Sequence, residues 1–353
     1  IQRCNIQLGI HAVHLATGHA ISCRAIKAKT IEKYLRNVSA FCARSNPRDP
    51  RKAEQTNKAL APVIRGVPDE VKRWENVPER REPFTVEMLR HPIELRDSQP
   101  HIHGQDSCLA AMVDWATDGL CDGFRLSEWA QPNGHHALHD PQLNFKGGVQ
   151  AFCIDDIEFF IHDKVRDPIA EITHLSPGDP LVGRDEWRCC AQKNGQNNEK
   201  RVHARNPCVG TPCHVTSTVR IAQRFSRLIG ANCRDVPLSV CRHANGQVRY
   251  ITASIIESTF RMAAAHVYKL DPVKDRAHLR KWSSHSLRVG ACVILHGMGF
   301  TDSQIKLLLR WRSDAFFDCL RNLTGLACKQ CRALCDLSLV PNFVWCCLGS
   351  HQT

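Results

Sequence analysis

The sequence predicts a mainly α-helical protein with a small antiparallel β-sheet, and three observations carry that prediction. Apolar residues recur at three- and four-residue spacing over most of the chain. The period drops to two between about residues 152 and 204, around an Asn-Gly turn. A stretch rich in Pro and Arg separates an N-terminal helical segment from the rest. At 353 residues the chain is longer than one hydrophobic core usually holds, which agrees with two domains.

Leu8 to Leu15 reads as helix. In Thr30 to Phe41, residues Ile31, Tyr34, Leu35, Val38 and Phe41 fall at helical spacing behind a Thr that can cap. Glu54 to Arg65 is expected to add a third helix. From Arg65 to Pro83, Pro68, Pro78 and Pro83 lie among Lys72, Arg73, Arg80, Arg81 and Glu82, which predicts an extended basic connection. The boundary falls there, with residues 1–82 a helical domain, 83–345 a second domain and 346–353 a tail. The second domain opens near Thr85 with a helix at Val86 to Leu89, then one over Cys108 to Thr117.

Phe152 to His162 and Leu181 to Gln192 read as strands. Lys193 to Lys200 forms the polar turn into Arg201-Val202-His203-Ala204, a β-hairpin with Lys193 at its tip. Helices resume at Val215 to Leu228 and Ala253 to His266, with Gly246 to Arg249 a turn between them. Leu287 to His296 is helical, and Thr301-Asp302-Ser303-Gln304 is a capping box opening Ile305 to Leu309. Ser313 caps a last long helix that runs through Cys328 and Leu337 until Pro341.

Lys and Arg number 47 against 35 Asp and Glu, and the resulting net charge of +12 suits a polyanionic partner such as nucleic acid. No run of about 18 apolar residues exists to form a transmembrane helix, and Ile6 to Ala20 lacks the apolar run of a signal peptide. The expectation is a piece of a longer intracellular protein. The 19 Cys do not fall into the spacings of a disulfide framework. Only three Tyr accompany 19 Cys and 19 His. One base change turns a Tyr codon into a Cys or a His codon, so this imbalance fits a copy that has drifted by mutation.

The candidate residues come in order. Arg125 stands at a helix start just after Gly123, Lys193 at the hairpin tip, and His285 and Arg288 on one helix face, where both can reach one phosphate. Arg310 and Trp311 follow. Arg125 can alternatively pair with Glu128 at i+3, Lys193 can be a plain turn residue, and His285 a satisfied core histidine.

Four segments together resemble the tyrosine recombinase (phage integrase) superfamily: Gly123-Phe124-Arg125-Leu126-Ser127-Glu128, Gln192-Lys193-Asn194-Gly195, Ser284-His285-Ser286-Leu287-Arg288-Val289-Gly290-Ala291 and Arg310-Trp311-Arg312-Ser313-Asp314-Ala315-Phe316. The likeness is greatest to recombinases of eukaryotic mobile elements of the Crypton or DIRS type, and spans roughly residues 30 to 345. It implies the two-domain DNA-breaking-rejoining architecture, with a core-binding domain and a catalytic domain closing on double-stranded DNA. The implied chemistry is phosphoryl transfer without metal or other cofactor, in which a tyrosine hydroxyl attacks a phosphodiester and leaves a 3′-phosphotyrosyl link. By the same resemblance Arg125 and Arg288 stabilise charge on the phosphate oxygens, Lys193 protonates the leaving 5′-oxygen, and His285 donates to a phosphate oxygen or relays a proton. Either Arg310 or Trp311 fills the last position. A homotetramer on two duplexes and a nuclear location are also implied.

The nucleophile position holds Cys319, and no Tyr follows Tyr268. Soft sulfur is a poor match for phosphorus, and the Cys side chain is several Å shorter than Tyr, which takes the attacking atom out of line. This copy is therefore expected not to cleave DNA. Two functions compete: a site-specific recombinase, and a catalytically silent DNA-binding remnant. A third reading is structural zinc at Cys328, Cys331 and Cys335, near Cys346, Cys347 and His351. On a helix the first three share a face, which suits packing as well as ligation.

Overall fold

The computed structural model describes residues 2–18, 26–42, 44, 49–52, 59–75, 80–130, 151–162, 164–166, 171–189, 198–206, 208, 211–230, 233, 236–311 and 316–320. The chain divides into two compact units, residues 1–79 and 80–353. Most described residues are helical, and the strands form small antiparallel sheets.

The first unit packs α1 (Gln2–Thr17), α2 (Ala28–Cys42) and α3 (Pro62–Trp74) around Ala12, Leu15, Ile31, Leu35, Ala61 and Ile64. In α2 the buried stripe is Ala28, Ile31, Leu35 and Ser39, a three-four-four spacing that fits one helix face. Thr30 therefore lies inside the helix and does not cap it. Tyr34 and Phe41, expected on the inner face, are 47% and 70% exposed.

The third helix starts later than expected. Leu60 pairs with Lys52 in an isolated β-bridge, and Ala61 is extended. Pro62 then takes the first helical position, where its missing N–H costs nothing. Ile64, Val67, Pro68 and Val71 form the apolar stripe of α3, so helix replaces the extended connection expected from residue 65. One lost hydrogen bond at Pro68 is outweighed by that buried stripe.

In the second unit α4 (Val86–Ser98) is capped by Thr85, whose Oγ1 accepts from Met88 N at 3.2 Å. Its neighbour α5 (Cys108–Asp122) is buried without interruption from Ala110 to Gly119 and forms the axis of the unit. The helix α6 (Leu126–Trp129) is a single turn. A four-stranded antiparallel sheet follows: β1 (Ile157–Ile161), β2 (Lys164–Arg166), β3 (Val182–Cys189) and β4 (Glu199–Ala204), in the order β2-β1-β3-β4. The expected hairpin is thus the β3–β4 pair, with Asp185 opposite His203. Residues 190–197, including Lys193, lie outside the described residues.

The remaining helices are α7 (His214–Ile229), α8 (Ala253–Tyr268), α9 (Arg276–Leu279), α10 (Ser286–Gly297), α11 (Asp302–Leu308) and α12 (Phe317–Leu320). Between α7 and α8 the expected turn at Gly246 to Arg249 is instead the tip of a small hairpin. Gly246 turns at φ 81°, and Val248 and Arg249 already belong to β6 (Val248–Tyr250), paired with β5 (Val240–Arg242). The Thr301 capping box forms, with Gln304 Oε1 accepting from Thr301 N at 2.9 Å. The expected last helix from Ser313 lies largely outside the described residues, and no described helix is long and apolar enough to cross a membrane.

The main core gathers Trp115, Phe124, Trp129, Phe152 and Trp187 beneath α5. Above it α10 lies hard against residue 84: Phe84 N donates to the Ser286 carbonyl at 2.9 Å, and a Cβ on Gly290 would meet the Phe84 carbonyl oxygen at 2.0 Å. Backbone cannot yield there as a side-chain tip can. Gly290→Ala is predicted to destabilise the second unit by about 2 kcal/mol or more, read as a lower urea midpoint with an unchanged slope.

Candidate functional site

Arg288 is the side chain around which the site is built. Helix α10 begins at Ser286 with His285 as its N-cap, which sets Arg288 in the first turn, facing the end of α5. There Gly123 follows Asp122 in the left-handed region at φ 58°, where a side chain would be strained. The Gly123 carbonyl accepts from Arg288 Nη1 at 2.7 Å, and the Leu309 carbonyl accepts from Nη2. The guanidinium lies 4.6 Å from the centroid of the Trp311 ring. Burial, then the charges of Arg125 and Arg310, lower the Arg288 pKa to about 9, which leaves it charged at neutral pH.

Arg125 is the N-cap of α6. Its Nη1 donates to Glu128 Oε1 at 2.9 Å, its backbone N to Oε2 at 2.9 Å, and its Nη2 to the Arg310 carbonyl at 3.3 Å. The carbonyls of Leu309 and Arg310 are consecutive, so Arg288 and Arg125 are held side by side. The i+3 pairing of Arg125 with Glu128 is real, yet the same carboxylate also serves Arg310. Arg310 donates from Nη2 to Glu128 Oε2 at 2.9 Å, and from Nη1 to Oε1 at 3.3 Å and to Cys189 Sγ at 2.9 Å.

This geometry separates the two residues between which the sequence left the choice open. Arg310, at φ 56°, turns its side chain into the core, where it is fully buried. Burial alone would lower its pKa, but Glu128 outweighs that and holds it up. Trp311 remains half-buried beside Arg288, and its indole Nε1 has no hydrogen-bond partner among the described residues. An unmet buried N–H is costly, so it marks a place for an acceptor.

His285 is exposed at the start of α10. Cys319, half-buried on α12, packs against Val289 and Val293 and lies in hydrogen-bonding reach of Cys292 and His285. The contact from Cys292 lowers the Cys319 pKa most, burial opposes it, and His285 and Arg288 add to the lowering, which brings the thiol down to about 5. The same contact and burial push Cys292 up. The site thus holds a thiolate against a cluster of cations.

Of the expected site residues, Arg125, His285, Arg288, Arg310, Trp311 and Cys319 are described; Arg125, Arg288, Arg310 and Trp311 share contacts, and Cys319 adjoins His285 and Arg288. Lys193, Arg312 to Ala315, and the candidate zinc residues Cys328, Cys331 and Cys335 lie outside the described residues. Sequence reasoning missed the anchors beneath the site. Arg201 on β4 donates to the carbonyls of Leu307 and Leu308, and Asp122, Asp185, His203 and His214 form a hydrogen-bonded cluster in which all but His203 are buried. Their signal was parity: Asp185 shares the inward phase of Trp187 and Cys189, and Arg201 that of His203, where apolar residues are the norm.

No protein-family model matches the chain, and no curated protein matches it. Among solved structures, it is similar to the Tn1549 transposon integrase in complex with transposon right end DNA, at 15% identity and a TM-score of 0.39, over 91% of this chain and 85% of that one. It is also similar to the Tn1549 integrase in complex with circular intermediate DNA, at 14% identity and a TM-score of 0.36, over 90% of this chain and 83% of that one.

The thiol chemistry is directly testable. Alkylation of Cys319 by iodoacetamide, followed by peptide mass spectrometry, is predicted to rise with an inflection near pH 5 and to be flat from neutral to alkaline pH. An inflection in the ordinary thiol range would contradict the arrangement.

Proposed function

We propose that this chain is a tyrosine-recombinase-like DNA-binding protein that holds a backbone phosphate of duplex DNA between Arg125 and Arg288, and that it does not cleave the DNA it binds. One observation carries the reading: the two guanidiniums are fixed on consecutive carbonyls beside the indole N–H of Trp311, which has no hydrogen-bond partner among the described residues. Planar, paired donors at fixed spacing match tetrahedral phosphate oxygens. Burial and then the charges of Arg125 and Arg310 lower the pKa of Arg288, and an anion between the cations relieves their crowding. The N-terminus of α10, with His285 at its tip, adds partial positive charge. The net charge of +12 supplies the general attraction to a polyanion.

The silence follows from Cys319. A thiolate is present, but it is held by Cys292, and its short side chain keeps it off the line of attack on a phosphorus placed between the arginines. The lowered pKa of that thiol favours a second reading, in which Cys319 attacks the phosphorus and expels the 5′-oxygen, leaving a thiol-linked 3′-phosphate. The implied homotetramer on two duplexes and nuclear location belong to the same proposal.

Binding is tested by fluorescence anisotropy of a duplex across a salt series. Arg125→Gln is expected to weaken affinity and to reduce the slope of log K against log salt by about 1; equal slopes for both proteins would remove Arg125 from the phosphate. Cleavage is tested with a nicked suicide duplex, comparing the native chain with Cys319→Tyr. An adduct on the variant alone agrees with the proposal, whereas a DNA adduct on Cys319 of the native chain establishes the second reading.

A further inference from the structure

Four charged side chains from four elements meet in the core just below the site. His203 on β4 places Nδ1 2.9 Å from Asp185 Oδ1 and Nε2 3.0 Å from Asp122 Oδ1. His214 on α7 places Nδ1 3.2 Å from Asp185 Oδ2 and Nε2 3.1 Å from Asp122 Oδ2. The two imidazoles are stacked, with centroids 3.5 Å apart and planes at 18°. Each carboxylate oxygen faces a different ring nitrogen, and the result is a closed ring of four hydrogen bonds. Ionised carboxylates only accept, so four donors are needed and both imidazoles must carry both protons.

A metal ion bridging Asp122, His203 and His214 is the rival account, since their ligand atoms lie within 4.8 Å of one another. Ring geometry excludes it. A metal about 2.1 Å from two imidazole nitrogens, in the plane of each, keeps the ring centroids about 5 Å apart. Stacked rings 3.5 Å apart cannot both point at one ion. Each nitrogen is also already served by a carboxylate.

The ring touches both sides of the site. Asp122 immediately precedes Gly123, whose carbonyl holds Arg288, and stands three residues before Arg125. Arg201 Nε lies 3.7 Å from Asp122 Oδ1, and its other nitrogens bind the Leu307 and Leu308 carbonyls, just ahead of the Leu309 and Arg310 carbonyls that carry the two arginines. We propose that the Asp122–His203–Asp185–His214 ring is a positioning element for the phosphate site, locking the end of α5 and, through Arg201, the end of α11 at the spacing where Arg125 and Arg288 meet one phosphate, and that it locks only while both imidazoles are protonated. The proposal rests on the phosphate-binding reading above.

The carboxylates facing the rings favour the protonated imidazoles, and the charge of the stacked partner ring opposes them. Burial pushes His203 down, but Asp122 overcomes it and raises the pKa; burial does the same to His214, and Asp118 and Asp185 raise it well above the usual value. Burial would raise Asp122 and Asp185, yet the two histidines hold both below the carboxylate range. Burial pushes the Asp118 carboxyl on α5 well up, against the opposing pull of His214; Thr218 Oγ1 lies 3.1 Å from it and 3.2 Å from His214 Nδ1, and accepts from Trp187 Nε1 at 3.3 Å. Because the folded-state histidine values lie above the ordinary value of about 6.5, the ring's contribution is complete below that pH and is lost as pH rises through the raised values. The carboxylates act at the other end, where their contribution is lost as pH falls through their depressed values.

Three measurements on the full chain test this. Long-range proton–nitrogen NMR of the histidine rings should show His203 and His214 as imidazolium at pH 7.5; a neutral ring at either position overturns the proposal, as does a stoichiometric metal found by elemental analysis. DNA affinity of the native chain should fall with rising alkaline pH beyond the decline shown by His203→Gln, which should bind roughly tenfold more weakly at pH 6.5. Asp185→Asn, which keeps size and loses one charge, should show the same flattened profile and covers the case of a misfolded His203→Gln. Parallel pH profiles in native and variant proteins overturn the positioning role. Absence of DNA binding by the native chain at every pH and low salt overturns the phosphate reading itself and this role with it, while the NMR result still reports the protonation of the ring separately.

Discussion

A guanidinium can be fully buried only beside an anion, and the pairing of Arg310 with Glu128, side chains 0% and 3% exposed, is the constraint on which the site depends. Arg310 reaches Glu128 by turning inward at φ 56°, a conformation that costs energy for a residue with a side chain. That turn ends α11 and presents the carbonyls of Leu309 and Arg310 to Arg288 and Arg125. The carboxylate that neutralises Arg310 also fixes Arg125 through its backbone N and its Nη1. One buried pair therefore sets the direction of three guanidiniums.

The interior of the second unit repeats this device. Arg224 is held by Asp114, and the Asp122–His203–Asp185–His214 ring balances two imidazoles against two carboxylates, with Asp122, Asp185 and His214 buried and His203 partly so. Such groups stabilise a fold little compared with apolar packing, because desolvation consumes most of the attraction. Their value is directional. An apolar contact between β4 and α5 would tolerate sliding by fractions of an ångström, whereas four hydrogen bonds at 2.9 to 3.2 Å admit one arrangement. Fixed spacing of this kind is what the proposed phosphate site requires, more than extra stability.

Position 319 carries a Cys beside the cations of the site. A Tyr at position 319 would carry a long, nearly neutral arm; Cys319 carries a short, acidic one that sits among His285, Arg288 and Cys292. Electrostatics that would assist attack on a phosphate thus also stabilise the thiolate itself, which lowers its nucleophilicity along with its pKa. The residue at position 319 is free to vary without disturbing the cationic cluster, because the guanidiniums are bound to backbone carbonyls and Glu128, none of which involves position 319.

Periodicity and caps in the sequence determined most elements of the fold: the helices around Ile31, Val86, Ala253 and Leu287, the pairing of β3 with β4, and the capping box at Thr301. They also brought forward Arg125, His285, Arg288 and Trp311, because a short motif is visible wherever its residues lie within a turn or two of each other. They misplaced α3, since Pro68, Pro78 and Pro83 among basic residues read as an extended connection when only local propensity is weighed, and the stripe from Ile64 to Val71 becomes decisive only once α1 and α2 are there to cover it. The burial of Arg310 on Glu128, the placing of Trp311 beside Arg288, the sharing of Glu128 and the closure of the histidine ring were decided by tertiary structure alone. Glu128 and Arg310 are 182 residues apart, and Asp122 and His214 are 92 apart. Partners at such separations are chosen by the packing of whole elements, and no local pattern in the chain encodes which buried charge will meet which.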